Sequence, residues 1–142
     1  MSYAVNTSVP VDRSQGEIRR ILSKYGATGF AFGEQTTTAV VMFVMENRQV
    51  KFILAMQKTP DRNATGVEKK RYDQQSRSKW RCLVLAIKAK LECVESGIAT
   101  FEEEFLSYVV LANGKRVGDV MIPQIETSYK TGKMPTLLGY DK

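Results

Sequence analysis

The sequence predicts an α+β fold in which helices pack on a small antiparallel sheet. Three consecutive segments rich in β-branched and aromatic residues lie between positions 28 and 57, and a long segment without a proline runs from Gly66 to Gly97. The length of 142 residues, with 43% hydrophobic and 25% charged residues, is typical of a domain with one core. We therefore predict a single domain over residues 1–142 with the element order α-β-β-β-α-α-α.

Residues 1–13 are predicted to form an extended arm that precedes the first helix. Pro10 disfavours helical backbone at the residue before it. Ser14 is a typical N-cap, and Glu17 three residues later completes a capping-box pattern. Apolar residues then recur at helical spacing, and Gly26 is a typical C-terminal stop.

The three strand segments are predicted to form a meander. They are TGFAFGE, TTTAVVMFVMEN and RQVKFILAMQ. The middle segment is apolar on both faces, which favours a central strand, and residues 46–48 supply a tight turn into the third. Phe30 and Phe32 alternate on the first strand, and with Lys51 they resemble the aromatic and basic sheet surfaces that bind single strands. Aromatic residues at this spacing more often face a covering helix.

The segment between Gly66 and Gly97 is predicted to form a long basic amphipathic helix, preceded by a turn-rich linker at 58–66. On a helix that advances about 100° per residue, the apolar residues fall on one face. These residues are Trp80, Leu83, Val84, Ile87, Leu91 and Val94. A narrow row of cations lies about a quarter turn away, and we call it the basic stripe: Lys70, Arg77, Arg81 and Lys88. We expect the apolar face to pack on the sheet and the basic stripe to face solvent.

Two further helices are predicted in the C-terminal part of the chain. Thr100 is placed to cap a short helix whose first turn holds residues 102–104, all glutamates that favour the helix dipole. Adjacent helical side chains diverge by about 100°, so these carboxylates do not converge on a metal ion. The last helix is predicted at roughly Val117–Tyr129. We expect a kink or a late start near Ile122, because Pro123 disfavours a helix interior.

The sequence lacks the residues on which most catalytic sites depend. It contains no histidine, which removes the commonest general base and most imidazole-ligated zinc sites. The motifs GxxxxGK[ST], GxGxxG, GxSxG and CxxC are also absent. Cys82 and Cys93 are eleven positions apart on the predicted helix, so we expect reduced thiols. We predict a protein that is not an enzyme and has no catalytic residues, metal site or cofactor.

A net charge of +6 favours a polyanionic partner. The candidate nucleic-acid-binding residues are Lys69, Lys70, Arg71, Arg77, Arg81 and Lys88. In one interpretation they contact the phosphates of single- or double-stranded nucleic acid along about 27 Å of helix. In others they bind an acidic host protein or form only a solvated face. Tyr72 and Trp80 lie beside them and are able to stack on bases. Trp80 also belongs to the apolar face of the helix, so we expect its side chain in the core.

Residues 9–27, 79–106 and 117–138 resemble a family of small uncharacterised proteins encoded by tailed bacteriophages. The resemblance implies a phage protein acting in the host bacterial cytoplasm and supplies no catalytic residues. No run is apolar enough to cross a membrane, and the N-terminus lacks the pattern of a secretory signal. The order α-β-β-β-α is similar to the double-stranded-RNA-binding domain, and β-β-β-α to the core of phage single-strand annealing proteins. The basic run of the double-stranded-RNA-binding domain has only a partial counterpart in this chain, at residues 69–71.

We also expect the protein to form at least a dimer. Residues 36–38 carry no charge that would protect an edge strand from pairing, and the middle strand has more apolar surface than one helix covers. The tail at 130–142, with the run MPTLL, is expected to lie on the surface as an apolar strip. A second hypothesis for function uses these apolar surfaces to bind, and so redirect or inhibit, a bacterial host protein.

Overall fold

The predicted α+β fold, with its order of helices and strands, is confirmed over residues 4–135, the part of the chain that the computed structural model describes. The elements are α1 (Val11–Lys24), β1 (Thr28–Glu34), β2 (Thr38–Met45), β3 (Arg48–Ala55), α2 (Gly66–Glu95), α3 (Phe101–Phe105), a 3₁₀ turn (Leu106–Tyr108) and α4 (Val117–Thr131). Residues 1–3 of the predicted arm and 136–142 of the predicted tail lie outside the described residues.

The sheet is an antiparallel meander in which β2 is central, as its two apolar faces predict. On the inner face Val41 and Phe43 are fully buried, whereas Val44 and Ile53 on the outer face are exposed. Met45 pairs with Arg48, so residues 46 and 47 form a two-residue hairpin turn. Both have positive φ, 49° and 62°, as a type I′ turn requires.

Two helices, α1 and α2, cover the inner face of the sheet and enclose the core. Trp80 and Ile87 on α2 are 1% and 0% exposed, and Ile18 on α1 joins the same buried cluster. The ring of Phe32 on β1 lies 6.0 Å from that of Trp80, centroid to centroid. The prediction that the apolar face of the long helix packs on the sheet is therefore confirmed.

The predicted start of the first helix is wrong. Helix α1 begins at Val11, which packs against the core, and Pro10 stands at the N-cap without a side-chain hydrogen bond. Ser14 is therefore inside the helix, where it is fully buried and its hydroxyl has no hydrogen-bond partner among the described residues. Glu17 does not cap the helix but faces α2. Packing of Val11 extends the helix beyond the position that local capping signals indicate.

The C-terminal helices agree with the capping signal at Thr100 but not with a helix start delayed by Pro123. Thr100 and Glu103 form a reciprocal capping box at α3. Helix α4 begins at Val117, as predicted, with Pro123 inside it, so the alternative of a late start near Ile122 is wrong. The side chain of Asp119 pairs with Arg116 at 3.0 Å and fixes this earlier start. Within residues 4–135, no helix is long and apolar enough to span a membrane.

Candidate nucleic-acid interface

The basic stripe on α2 is divided by an ion-pair cluster with α1. Glu17 accepts a hydrogen bond from Arg81 Nη1 at 2.7 Å through one carboxylate oxygen and lies 2.7 Å from Lys88 Nζ through the other. Lys90, further along α2, pairs with Glu104 at 3.5 Å. The expectation that the basic stripe faces solvent is therefore wrong at Arg81, which is half-buried, whereas Lys88 is paired but remains exposed. The cause is tertiary, because the side-by-side packing of α1 and α2 brings Glu17 between two cations.

The Glu17 cluster keeps a positive charge in spite of the pairing. The hydrogen bond from Arg81, followed by that from Lys88, lowers the pKa of Glu17 to about 2. Its carboxylate is therefore ionised at neutral pH and neutralises one of the two cations. The side chain of Lys88 remains 44% exposed, whereas that of Arg81 is 19% exposed. Lys88 is consequently the member of this cluster that a ligand reaches more easily.

The cations of the N-terminal half of α2 have a different environment. Lys69, Lys70 and Arg71 are exposed, and none forms an ion pair within residues 4–135. Lys79, two turns further on, is likewise exposed and unpaired among these residues. Arg77 is half-buried and donates a hydrogen bond to the side chain of Gln74. The unpaired positive charge of α2 thus lies mainly before Trp80.

A cleft of about 410 Å³ opens along α2, and Lys79 is the cation of this group that lines it. One wall is formed by polar side chains of α2, including Tyr72, Gln75 and Lys79, and the other by Met56 and Gln57 after β3. The hydroxyl of Tyr72 lies 3.4 Å from Oγ1 of Thr59 in the linker that leads into α2. We call this cavity the Tyr72 cleft.

The N-terminal arm closes one end of the Tyr72 cleft. The side-chain amide of Gln74 donates hydrogen bonds to the backbone oxygens of Val5 and Thr7, at 3.0 and 2.9 Å. Val5 in turn lines the cleft. The arm is therefore part of the site and holds its position through polar contacts rather than through burial alone.

The aromatic and basic surface considered for the sheet does not form. Phe30 and Phe32 pack against the core, and the guanidinium of Arg19 on α1 lies over both rings, at 5.5 and 5.7 Å from their centroids. Lys51 lies opposite Met42 in the register of β2 and β3, which places it on the outer face of the sheet, away from both phenylalanines. The alternative in which aromatic side chains face a covering helix is the one observed.

Of the six candidates that the sequence indicated, four are exposed and two, Arg77 and Arg81, are half-buried, but the cleft was missed. Lys79 and Gln75 were not selected, because neither belongs to the basic stripe or to the basic run at 69–71. One signal was present: positions 72, 75, 76 and 79 are polar at a spacing that usually buries apolar residues. No group of three or more potential metal-ligating histidine, cysteine or acidic side chains occurs within residues 4–135. No protein-family model, curated protein or solved structure is a significant match to this chain.

Proposed function

We propose that the protein is a non-enzymatic nucleic-acid-binding accessory protein, encoded by a phage and acting in the host bacterial cytoplasm. It contacts phosphates through the N-terminal half of α2. The observation that carries the proposal is the group of exposed cations at Lys69, Lys70 and Arg71, none of which forms an ion pair within residues 4–135. Lys69 also lines a recess together with Tyr72. Cations that are not neutralised by a carboxylate are available to replace the counterions of a polyanion.

The surrounding sequence strengthens the positive potential at this end of the molecule. Between positions 58 and 79 the cations outnumber the acids. The cations are Lys58, Arg62, Lys69, Lys70, Arg71, Arg77 and Lys79, and the acids are Asp61, Glu68 and Asp73. Arg81 and Lys88 extend the same face of α2, with part of their charge neutralised by Glu17. We assign phosphate contacts first to the unpaired group and only secondarily to Arg77, Arg81 and Lys88.

Charge reversal at Lys70 and Arg71 tests this assignment. Arg81 is a poor choice for the test, because a glutamate there would face Glu17 and lower stability as well as affinity. Lys70→Glu/Arg71→Glu changes exposed positions only. Affinity for a fluorescent oligonucleotide, measured by anisotropy at low salt, is expected to fall about tenfold or more.

The matched control is Lys115→Glu/Lys133→Glu, which makes the same charge change at exposed positions outside α2. It tests whether net charge alone drives binding, and we expect a smaller loss of affinity. The melting temperatures of both variants should stay close to that of the parent, since exposed charges contribute little to stability. Equal losses in the two variants would contradict an interface on α2.

A second candidate function, binding of a bacterial host protein, is favoured by the surface of α4. Ile122 and Tyr129 are 64% and 87% exposed, and Ile125 and Met134 are also exposed. An apolar group of this kind on a water-facing helix is a typical protein-docking feature. If this is the function, Ile122→Glu/Ile125→Glu abolishes capture of a specific host protein and Lys70→Glu/Arg71→Glu does not. An acidic host protein bound through α2 would give the reverse result.

A further inference from the structure

The Tyr72 cleft is lined by polar side chains where a helix would ordinarily bury apolar ones. Tyr72, Gln75, Ser76 and Lys79 follow the spacing i, i+3, i+4 and i+7, which places them on one face of α2. From Trp80 onwards the corresponding face is apolar and packs on the sheet. The helix therefore changes at Trp80 from a core-forming face to a polar face that lines a cavity.

Two buried polar atoms at the cleft have no hydrogen-bond partner among the described residues. They are Oε1 of Gln75, an acceptor, and Nε1 of Trp80, a donor. Trp80 lines a smaller recess of about 50 Å³, which shares Met56, Tyr72 and Ser76 with the cleft. Buried polar groups are nearly always hydrogen-bonded in folded proteins, and exceptions often mark sites that act on a ligand. Gln75 is the group best placed to receive one, because it belongs to the larger cavity.

Two cations of α2 lie on the same side of the helix as Tyr72. Lys79 lines the cleft, and Lys69 lines an adjoining recess together with Tyr72. The two lysines are ten residues apart on α2, which corresponds to about 15 Å along the helix axis. Tyr72 lies between them in sequence and lines the cleft, the recess that contains Trp80 and the recess that contains Lys69. An aromatic wall between two phosphate-binding positions is the arrangement on which unpaired bases stack.

We infer that the Tyr72 cleft binds an unpaired nucleobase of a single-stranded nucleic acid. The inference deepens the proposed function and rests on it. The base packs against Tyr72, and Oε1 of Gln75 accepts a hydrogen bond from a base N–H, while Lys69 and Lys79 contact the flanking phosphates. The volume of about 410 Å³ falls within the range of small-ligand sites. A base stacked inside a duplex cannot enter such a cleft without being flipped out, so single strands are favoured over duplexes.

The test compares two single strands that carry the same phosphates but differ in their bases. One probe is a fluorescent mixed-sequence DNA of about 12 nucleotides, and the other has abasic sites throughout its central half. Binding of both to the full chain is measured by anisotropy at low salt, together with a duplex of equal length. We expect the intact single strand to bind about tenfold more tightly than the abasic strand and more tightly than the duplex.

Two variants assign the preference to the cleft. Tyr72→Ala is expected to remove most of the difference between intact and abasic strands, while Tyr72→Phe, which keeps the ring, retains it. Because the comparison of probes uses the parent protein, it remains decisive even if Tyr72→Ala folds poorly. Equal binding of intact and abasic strands, or tighter binding of the duplex, would overturn the inference and leave phosphate binding intact. Failure of all three probes to bind would overturn the proposed function as well.

Discussion

Individual side chains show why the candidate site divides into two parts. The carboxylate of Glu17 stabilises the contact between α1 and α2 by pairing with Arg81 and Lys88, so those cations have a structural role as well as a charge. Lys70 and Arg71 carry the same charge type with no partner within residues 4–135. Helical periodicity groups Lys70 with Arg81 because both lie in one stripe. Only the position of Glu17 on a neighbouring helix distinguishes them.

Glu17→Gln is expected to destabilise the fold by about 1–3 kcal/mol at neutral pH, because the half-buried guanidinium of Arg81 loses its charged partner. Folding lowers the pKa of Glu17 from 4.5 to about 2. The stability due to this carboxyl is therefore complete above pH 4.5, declines as the pH falls, and is lost below about pH 2. Urea denaturation of parent and variant at several pH values measures this dependence. Glu126→Gln, at an exposed pair with Lys130, is the control and should change stability by less than about 0.5 kcal/mol.

Ser14→Ala is expected to stabilise the protein by up to about 1 kcal/mol. The variant removes a buried hydroxyl without a hydrogen-bond partner and introduces the better helix former. An N-cap serine, by contrast, would make the same substitution cost about 1 kcal/mol. The sign of the change in the midpoint of thermal unfolding therefore distinguishes the two structures at this position.

At the scale of helices and strands, the sequence predicted correctly those features that depend on interactions between residues close in the chain. Apolar residues on both faces of the middle segment indicated the central strand, and Thr100 indicated the start of α3. The start of α1 and the continuation of α4 through Pro123 depend instead on packing of Val11 and on the Arg116–Asp119 pair. The Tyr72 cleft was not predictable for the same reason. It requires the arm, the linker and α2 together.

Ile87→Ala on α2 is expected to lower the free energy of unfolding by about 2–5 kcal/mol, because the side chain is fully buried between the helix and the sheet. Leu85→Ala, on the exposed side of the same helix, is the control and should cost much less. Chemical denaturation measures both. Similar costs for the two variants would contradict the packing of α2 on the sheet.

At the scale of the whole molecule, apolar surface remains on the outer face of the sheet and on α4. Val44, Ile53 and Ile122 are among the exposed apolar residues. Self-association would remove such surface from water, and it would also align several copies of α2 along one strand of nucleic acid. The predicted dimer is thus consistent with these surfaces and remains a prediction.

Light scattering coupled to size exclusion is expected to give a mass of at least twice the 16.0 kDa of one chain at micromolar concentration. Ile122→Glu/Ile125→Glu is expected to lower that mass if α4 supplies the contact, and Val44→Lys/Ile53→Lys if the sheet does. A mass of one chain at every accessible concentration would exclude the dimer and the gain in affinity that it implies.

The salt dependence of nucleic-acid affinity tests the central proposal most directly. If Lys69, Lys70, Arg71 and Lys79 contact phosphates, the logarithm of the association constant for a single strand falls linearly with the logarithm of salt concentration, with a slope of about −2 to −3. Lys70→Glu/Arg71→Glu should make that slope shallower by one unit or more. Absence of binding at low salt, or an affinity that does not change with salt, would contradict a phosphate-binding function for α2.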